Sequence, residues 1–218
     1  MEKRKTFHEH LEELYLDVLR MASLAVETVE KTKQAFDALD LKIADQIIKG
    51  DDNLDDYVVK IEENGIELVA TQAPVAIDLR LIMVIMRLAQ HLERVGDLCV
   101  NISKAIKNLE GYKIPPWIKE DIGTMFDRSS KMLLRAVEAF KKKDISMAEE
   151  LSSMDDTVDR INRRFLTSYK GESEEELEFA IRVVMIARFL ERIADHAVDI
   201  GEQVYYLVTG QFADYEKA

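Results

Sequence analysis

The sequence predicts an all-α protein built from two sequence-similar three-helix bundles, that is, six long helices related by an internal repeat. Three prolines and eight glycines are few for 218 residues, and residues that favour helices dominate the rest. Apolar residues recur at steps of three and four. Residues 88–102 also match residues 186–200 at seven of fifteen positions. The repeat divides the chain into a first unit, 1–112, and a second unit, 113–218, on either side of a Gly and Pro-Pro segment.

The first unit contains three predicted helices. Helix 1 begins at Thr6, the first residue of a capping box, and runs to Phe36. Asp40 is the predicted N-cap of helix 2. Pro74 ends helix 2 and can start helix 3, because proline is tolerated in a first helical turn. Helix 3 runs to about Leu109.

The second unit follows the same plan. Helix 4 covers residues 117–142, and Asp144 repeats the capping role of Asp40 at the start of helix 5. Gly171 ends helix 5. Ser173 opens helix 6 with another capping box, and this helix runs to about Val208.

Composition excludes several classes of function. A net charge of -12 disfavours nucleic acid as a partner, because there is no basic excess to neutralise phosphates. The N-terminus has no secretory signal, and no apolar run approaches the ~20 residues of a membrane span. We therefore expect a soluble cytoplasmic protein that meets a membrane only through its partners. The single Cys99 falls on an apolar stripe and is predicted to be a buried thiol.

The candidate functional residues lie in two short segments, Glu93-Arg94-Val95-Gly96-Asp97 and its near copy in residues 191–195. Each places two carboxylates four residues apart, on one face of a helix. The two glutamates lie among small residues on an apolar stripe of helices 3 and 6, and we expect this stripe to pack against a neighbouring helix. A matching pair of aspartates lies on helix 2 and on helix 5, at residues 51 and 55 and at residues 155 and 159.

Helical geometry predicts that these pairs meet. If helices 2 and 3 fold back at Pro74, Asn53 lies opposite Val95, so both acid pairs of the first repeat stand at one level. In the second repeat the midpoint of the corresponding pairs is Glu175, inside the predicted turn region. Asp199 lies one helical turn beyond Asp195, on the same face of helix 6 as Glu191 and Asp195. The predicted metal ligands are Asp51, Asp55, Glu93 and Asp97 in the first repeat, and Asp155, Asp159, Glu191, Asp195 and Asp199 in the second.

Carboxylate oxygens suit hard or borderline cations such as Mg²⁺, Mn²⁺, Ca²⁺ or iron, and bridging carboxylates permit several ions per site; zinc is a further alternative. The Glu-x-x-His motifs of di-iron enzymes are absent, which disfavours redox catalysis. A metal-dependent oxidase or hydrolase stays an alternative, as does a structural adaptor in which Arg94 and Arg192 neutralise the acids. His196 can add a nitrogen ligand, whereas His8, His10 and His91 are predicted to be surface or capping residues.

Taken together, residues 71–80 (TQAPVAIDLR), 93–97 and 191–197 resemble the PhoU family of phosphate-signalling regulators over essentially the whole chain. The resemblance implies two three-helix repeats whose E(D)xxxD motifs, at the acids above, carry multinuclear iron or other metal ions. It also implies a non-enzymatic cytoplasmic repressor of the phosphate-starvation response. Its partners would be the ATPase of the phosphate ABC transporter and a sensor histidine kinase; a homodimer is left open.

Residues 71–80 have no copy before helix 6, where the sequence is acidic. Within this segment Asp78 and Arg80 are candidate partner contacts. The alternative for both is a local role in capping the helix and forming an ion pair.

Overall fold

The computed structural model describes residues 2–168 and 173–212, so the helix end predicted at Gly171 lies outside the described residues. Over these ranges the chain forms helices and no strand. The helices are α1 (Glu2–Ala38), α2 (Leu41–Lys49), α3 (Asp52–Gln72), α4 (Ala76–Lys107), α5 (Pro116–Lys142), α6 (Ile145–Ser168) and α7 (Glu174–Thr209). The predicted all-α fold with six long helices is confirmed, and α2 is an additional short helix.

The short helix α2 arises because the predicted helix 2 is interrupted after Lys49. The Gly50 amide closes α2 by donating to the carbonyl oxygens of Gln46 and Ile47, and α3 begins at Asp52. The prediction of one continuous helix here was wrong. Glycine has a low helix propensity, and the acids that follow it favour a new helix N-terminus. The predicted start of helix 1 at Thr6 was also wrong, since α1 begins at Glu2.

The other predicted helix boundaries follow local capping chemistry. The Asp40 carboxylate accepts hydrogen bonds from two amides of the first turn of α2. Asp144 accepts an amide hydrogen bond at the start of α6, and the Ser173 hydroxyl accepts one at the start of α7. Pro74 lies between α3 and α4. These capping and turn predictions are confirmed.

Close contacts at glycines confirm the register of the two hairpins. Leu54 on α3 packs over Gly96 on α4, within two residues of Arg94, which the predicted pairing of Asn53 with Val95 places opposite Leu54. In the second repeat Leu151 on α6 packs over Gly201 on α7 in a corresponding way. The aspartate pairs of α3 and α6 are therefore held beside the carboxylate pairs of α4 and α7.

The two repeats pack together mainly through α4 against α7, with α1 against α5. The Arg80 guanidinium donates to the Leu207 carbonyl oxygen, whereas His91 contacts His196 eleven residues earlier on α7. Contacts that advance along α4 while receding along α7 show that these helices are antiparallel. None of the helices within residues 2–168 and 173–212 combines the length and the hydropathy that a membrane span requires.

Candidate metal centres

The first acid group, Asp51, Asp55, Glu93 and Asp97, lies where the break between α2 and α3 faces α4. Asp51 occupies the N-cap position of α3, but its side chain makes no capping hydrogen bond. Its carboxylate borders a groove of ≈ 160 Å³ that Gly50 and Gly96 also line. The break between α2 and α3, which was not predicted from the sequence, thus places the Asp51 carboxylate in the first acid group.

The acids of the first group act electrostatically on one another. Burial raises the pKa of Asp51, and the charges of Asp97 and Asp55 raise it further. Burial and then Asp97 raise the pKa of Glu93, although Arg94 opposes them. The structure therefore brings these four predicted residues into one neighbourhood, where ionising all of them is unfavourable.

Arg94 supplies part of the compensating charge. Its Nη1 lies 2.9 Å from Asp97 Oδ2, and its Nε lies 3.3 Å from Glu93 Oε2. Glu93 Oε2 is nevertheless buried without a hydrogen bond from any described residue. The sequence left open that Arg94 neutralises the acids. Arg94 does so in part, because its single positive charge faces four carboxylates.

The second acid group, Asp155, Asp159, Glu191 and Asp195, lies between α6 and α7. Burial raises the pKa of Asp155 to about 7, and the neighbouring charges of Asp159, Asp195 and Glu191 add to this rise. Burial is also the largest cause of the raised pKa values of Glu191 and Asp195. Asp155 Oδ1 and Glu191 Oε2 are buried and accept no hydrogen bond within the described residues.

Arginines also border the second acid group, including two that were not predicted. Arg188 pairs with Glu191, and Arg163 Nη2 lies 3.0 Å from Asp159 Oδ2. Arg192, predicted to neutralise the acids, borders an open pocket beside Asp195. Burial raises the pKa of Glu191, and the charges of Arg188 and Arg192 oppose this rise. Arg188 was not predicted because the equivalent residue of the first repeat is Gln90.

Both acid groups suit a hard cation in their chemistry. Buried carboxylate oxygens without hydrogen bonds are costly, and a cation bound between them would satisfy them. However, within the described residues, no three acids of either group place oxygens within 4.8 Å of one another. The carboxylates of each group are close neighbours, but their oxygens do not converge on one point as the ligands of a bound ion do. Their assignment as metal ligands stays a prediction.

Asp199, predicted to extend the second acid group, lies with two histidines. Its Oδ2 stands 3.4 Å from His196 Nδ1 and 3.5 Å from His91 Nδ1. The prediction that His91 is a surface or capping residue was wrong, because its side chain is 23% exposed and lies inside the contact between α4 and α7. No spacing within one helix could show this, since the contact joins the two repeats.

Asp78 and Arg80, the candidate partner contacts, differ in their surroundings. Asp78 lies in the first turn of α4, where a negative charge is favourable. The Arg80 guanidinium lies 5.7 Å over the Tyr206 ring and donates to the Leu207 carbonyl oxygen at 3.4 Å. Arg80 therefore has an internal role at the end of α7, which the sequence analysis did not predict.

Comparison with known proteins identifies a family match. The model described as PhoU domain matches residues 18–106 and again residues 122–204. A curated relative from Clostridium acetobutylicum, named phosphate-specific transport system accessory protein PhoU homolog, is 35% identical, covering 97% of this chain and 98% of the relative. A homolog from Methanothermobacter thermautotrophicus is 34% identical, covering 94% and 95%.

Two solved structures share the fold of this chain. The crystal structure of PhoU from Pseudomonas aeruginosa superposes with a TM-score of 0.88 at 30% identity, covering 94% of this chain and 100% of that one. The phosphate transport system regulatory protein PhoU from Streptococcus pneumoniae gives a TM-score of 0.86 at 28% identity, covering 95% and 99%.

Proposed function

Since the chain belongs to the PhoU family, we propose that it is a metal-binding cytoplasmic regulator of phosphate uptake and phosphate-starvation signalling. It is an accessory protein of the phosphate-specific transport system, as its curated relatives are named. It restrains the high-affinity transporter when phosphate is plentiful. Its partners are the ATPase of that transporter and the phosphate sensor histidine kinase.

The observation that supports the metal-binding part is the pair of acid groups, each built around a glutamate that protein partly or fully covers. Glu191 is buried, and its Oε2 accepts no hydrogen bond from a described residue. Glu93 is half-buried, and its Oε2 accepts no hydrogen bond from a described residue either, although Arg94 Nε lies 3.3 Å from it. Each glutamate stands beside further carboxylates whose charges raise its pKa. Such groups are stable either protonated or beside a cation. Iron or manganese fits the oxygen ligands, and more than one ion can bind each group.

The supported role is regulatory rather than enzymatic. The relatives carry names of accessory and regulatory proteins. The chain therefore acts by binding partners, with the metal ions stabilising the helices that present the binding surfaces.

Elemental analysis of protein purified without chelator tests the metal part. We expect iron or another divalent metal in the wild type, and a large loss in the double variant Glu93→Gln and Glu191→Gln. Asp127→Asn is a suitable control, because Asp127 lies on α5 and pairs with Lys33 instead. Absence of bound metal both before and after reconstitution would contradict the proposal.

A binding experiment tests the regulatory part. Tagged protein should capture the purified transporter ATPase and the sensor kinase, with the captured amount changing when phosphate is added. Capture of neither partner under both conditions would overturn this part while leaving the metal assignment standing.

The adaptor alternative rests on Arg94, which pairs with both Glu93 and Asp97. If arginines alone stabilise the acid groups, chelation should leave the melting temperature unchanged. A lower melting temperature after chelation, restored by added metal, would support the metal-binding regulator instead.

A further inference from the structure

Three ligand atoms meet between α4 and α7, outside the two acid groups. His91 Nδ1 lies 3.3 Å from His196 Nδ1 and 3.5 Å from Asp199 Oδ2, and His196 Nδ1 lies 3.4 Å from the same oxygen. We propose that this histidine cluster, His91, His196 and Asp199, binds one zinc-type divalent cation that joins the two repeats.

The geometry of the triangle favours a four-coordinate ion. In a tetrahedral zinc site with bonds of ~2.0–2.1 Å, ligand atoms stand ~3.3–3.4 Å apart. The three separations in the histidine cluster agree with this value. Six-coordinate Mg²⁺ has bonds of similar length but places neighbouring ligand atoms only ~3.0 Å apart. Imidazole nitrogens also favour zinc and the later transition metals over magnesium or calcium.

The cluster occurs once in the chain, unlike the acid groups. The repeat relates residues of α4 to those of α7 at a displacement of 98, as Glu93 and Glu191 show. The positions equivalent to His91, His196 and Asp199 are Phe189, Leu98 and Asn101. Such residues cannot rebuild the ligand set on the other side of the contact, so one ion per chain is expected.

Space for a fourth ligand lies beside the cluster. His196 and Asp199 border an open pocket, together with Asp155, Arg192, Asp195 and Val198. A water molecule can therefore complete the coordination. Because His91 comes from one repeat and the other two ligands from the second, a bound ion would strengthen the contact between α4 and α7.

The site can be tested with Co²⁺ and Zn²⁺ on the full chain after removal of bound metal. We expect one equivalent of Co²⁺ with the strong visible absorption of a four-coordinate ion that has nitrogen ligands. His91→Gln should weaken this binding at least tenfold. Zn²⁺ should raise the melting temperature of the wild type more than that of His91→Gln, because the acid groups are intact in both proteins and only the wild type has the complete histidine cluster.

His10→Gln is the matched control, because His10 is exposed near the start of α1, away from the cluster. Circular dichroism checks folding, and Asp199→Asn provides a second variant should His91→Gln fold poorly. The double variant Glu93→Gln and Glu191→Gln should keep the Co²⁺ absorption, so failure of the acid groups is distinguishable from failure of this site.

The alternative is a metal-free hydrogen-bonded cluster in which the Asp199 oxygen accepts from both imidazoles. It predicts no strong Co²⁺ absorption and equal Zn²⁺ stabilisation of the wild type and of His91→Gln. Either that result, or an unchanged response in both His91→Gln and Asp199→Asn, would overturn the proposal.

Discussion

Leu151 on α6 lies so close to Gly201 on α7 that a Cβ on residue 201 would stand 2.6 Å from Leu151 Cδ1. The same Cβ would stand 3.3 Å from the Ala148 carbonyl oxygen, which belongs to the backbone of α6. The missing side chain at Gly201 therefore sets how closely these helices pack. Gly123 in α5 differs, because a Cβ there would meet no heavy atom within 4 Å.

Alanine substitutions at these two glycines should have opposite effects. Gly123→Ala should raise the free energy of unfolding by about 0.5–1 kcal/mol, because alanine favours helix over glycine. Gly201→Ala gains the same propensity but forces α6 and α7 apart, so we expect a net loss of about 1 kcal/mol or more. Denaturant unfolding of both variants provides the comparison. Equal stabilisation by both changes would contradict the close packing at Gly201.

Arg80 should stabilise the end of α7. Its guanidinium lies over the Tyr206 ring and beside Gly210, whose amide donates to the Tyr206 carbonyl oxygen at 2.9 Å. A double-mutant cycle of Arg80→Met and Tyr206→Leu should give a coupling energy of about 0.5–1 kcal/mol. Amides in the last turn of α7 should exchange faster in Arg80→Met.

Arg128→Met is the control for Arg80→Met, because Arg128 is an exposed arginine on α5. It should leave hydrogen exchange in α7 unchanged. If Arg80→Met also leaves that exchange unchanged and the cycle shows no coupling, the contact does not stabilise α7, and Arg80 is free for a partner.

The sequence was sufficient for the features that depend on local chemistry and on the repeat. Capping residues such as Asp40 and Ser173 lie where side chains satisfy the first amides of a helix. The level of the acid pairs follows from helical rise, and the contact of Leu54 with Gly96 confirms it.

Features that depend on packing between the repeats could not be predicted in this way. The contact between His91 and His196 requires the antiparallel packing of α4 on α7, and no periodicity within either helix shows it. The break at Gly50 is different, because glycine before acids is a recognised helix end. The continuous apolar stripe of the predicted helix 2 outweighed that signal.

Cys99 should be unreactive in the folded protein. Its side chain is fully buried, and burial raises the pKa of its thiol to about 12 even though Thr32 hydrogen-bonds to it. Because the thiolate is the nucleophile, a thiol reagent should label the native protein only through unfolding. Labelling should become rapid and stoichiometric in denaturant. Rapid labelling of the native chain would show that α4 opens locally around Cys99.

Asp155 should make the metal-free protein less stable as pH rises. Burial raises its pKa from 3.8 to about 7, so the folded state holds this proton more tightly than the unfolded state does. The resulting stabilisation is complete below the unfolded value and is lost as pH rises through about 7. Asp155→Asn, which cannot ionise, should therefore be more stable than the wild type at pH 8. We expect a difference of about 1–2 kcal/mol after allowing for solvent screening.

Chelated protein unfolded in denaturant at pH 5 and at pH 8 gives the measurement. The advantage of Asp155→Asn should be present at pH 8 and small at pH 5, where Asp155 is already protonated. Asp156→Asn is the control, because Asp156 is the exposed neighbour on α6. Added divalent metal should reverse the order at pH 8, since only the wild type then has an ionised carboxylate at this position to bind it. An advantage of Asp155→Asn that survives saturating metal would argue that the second acid group binds no cation through Asp155.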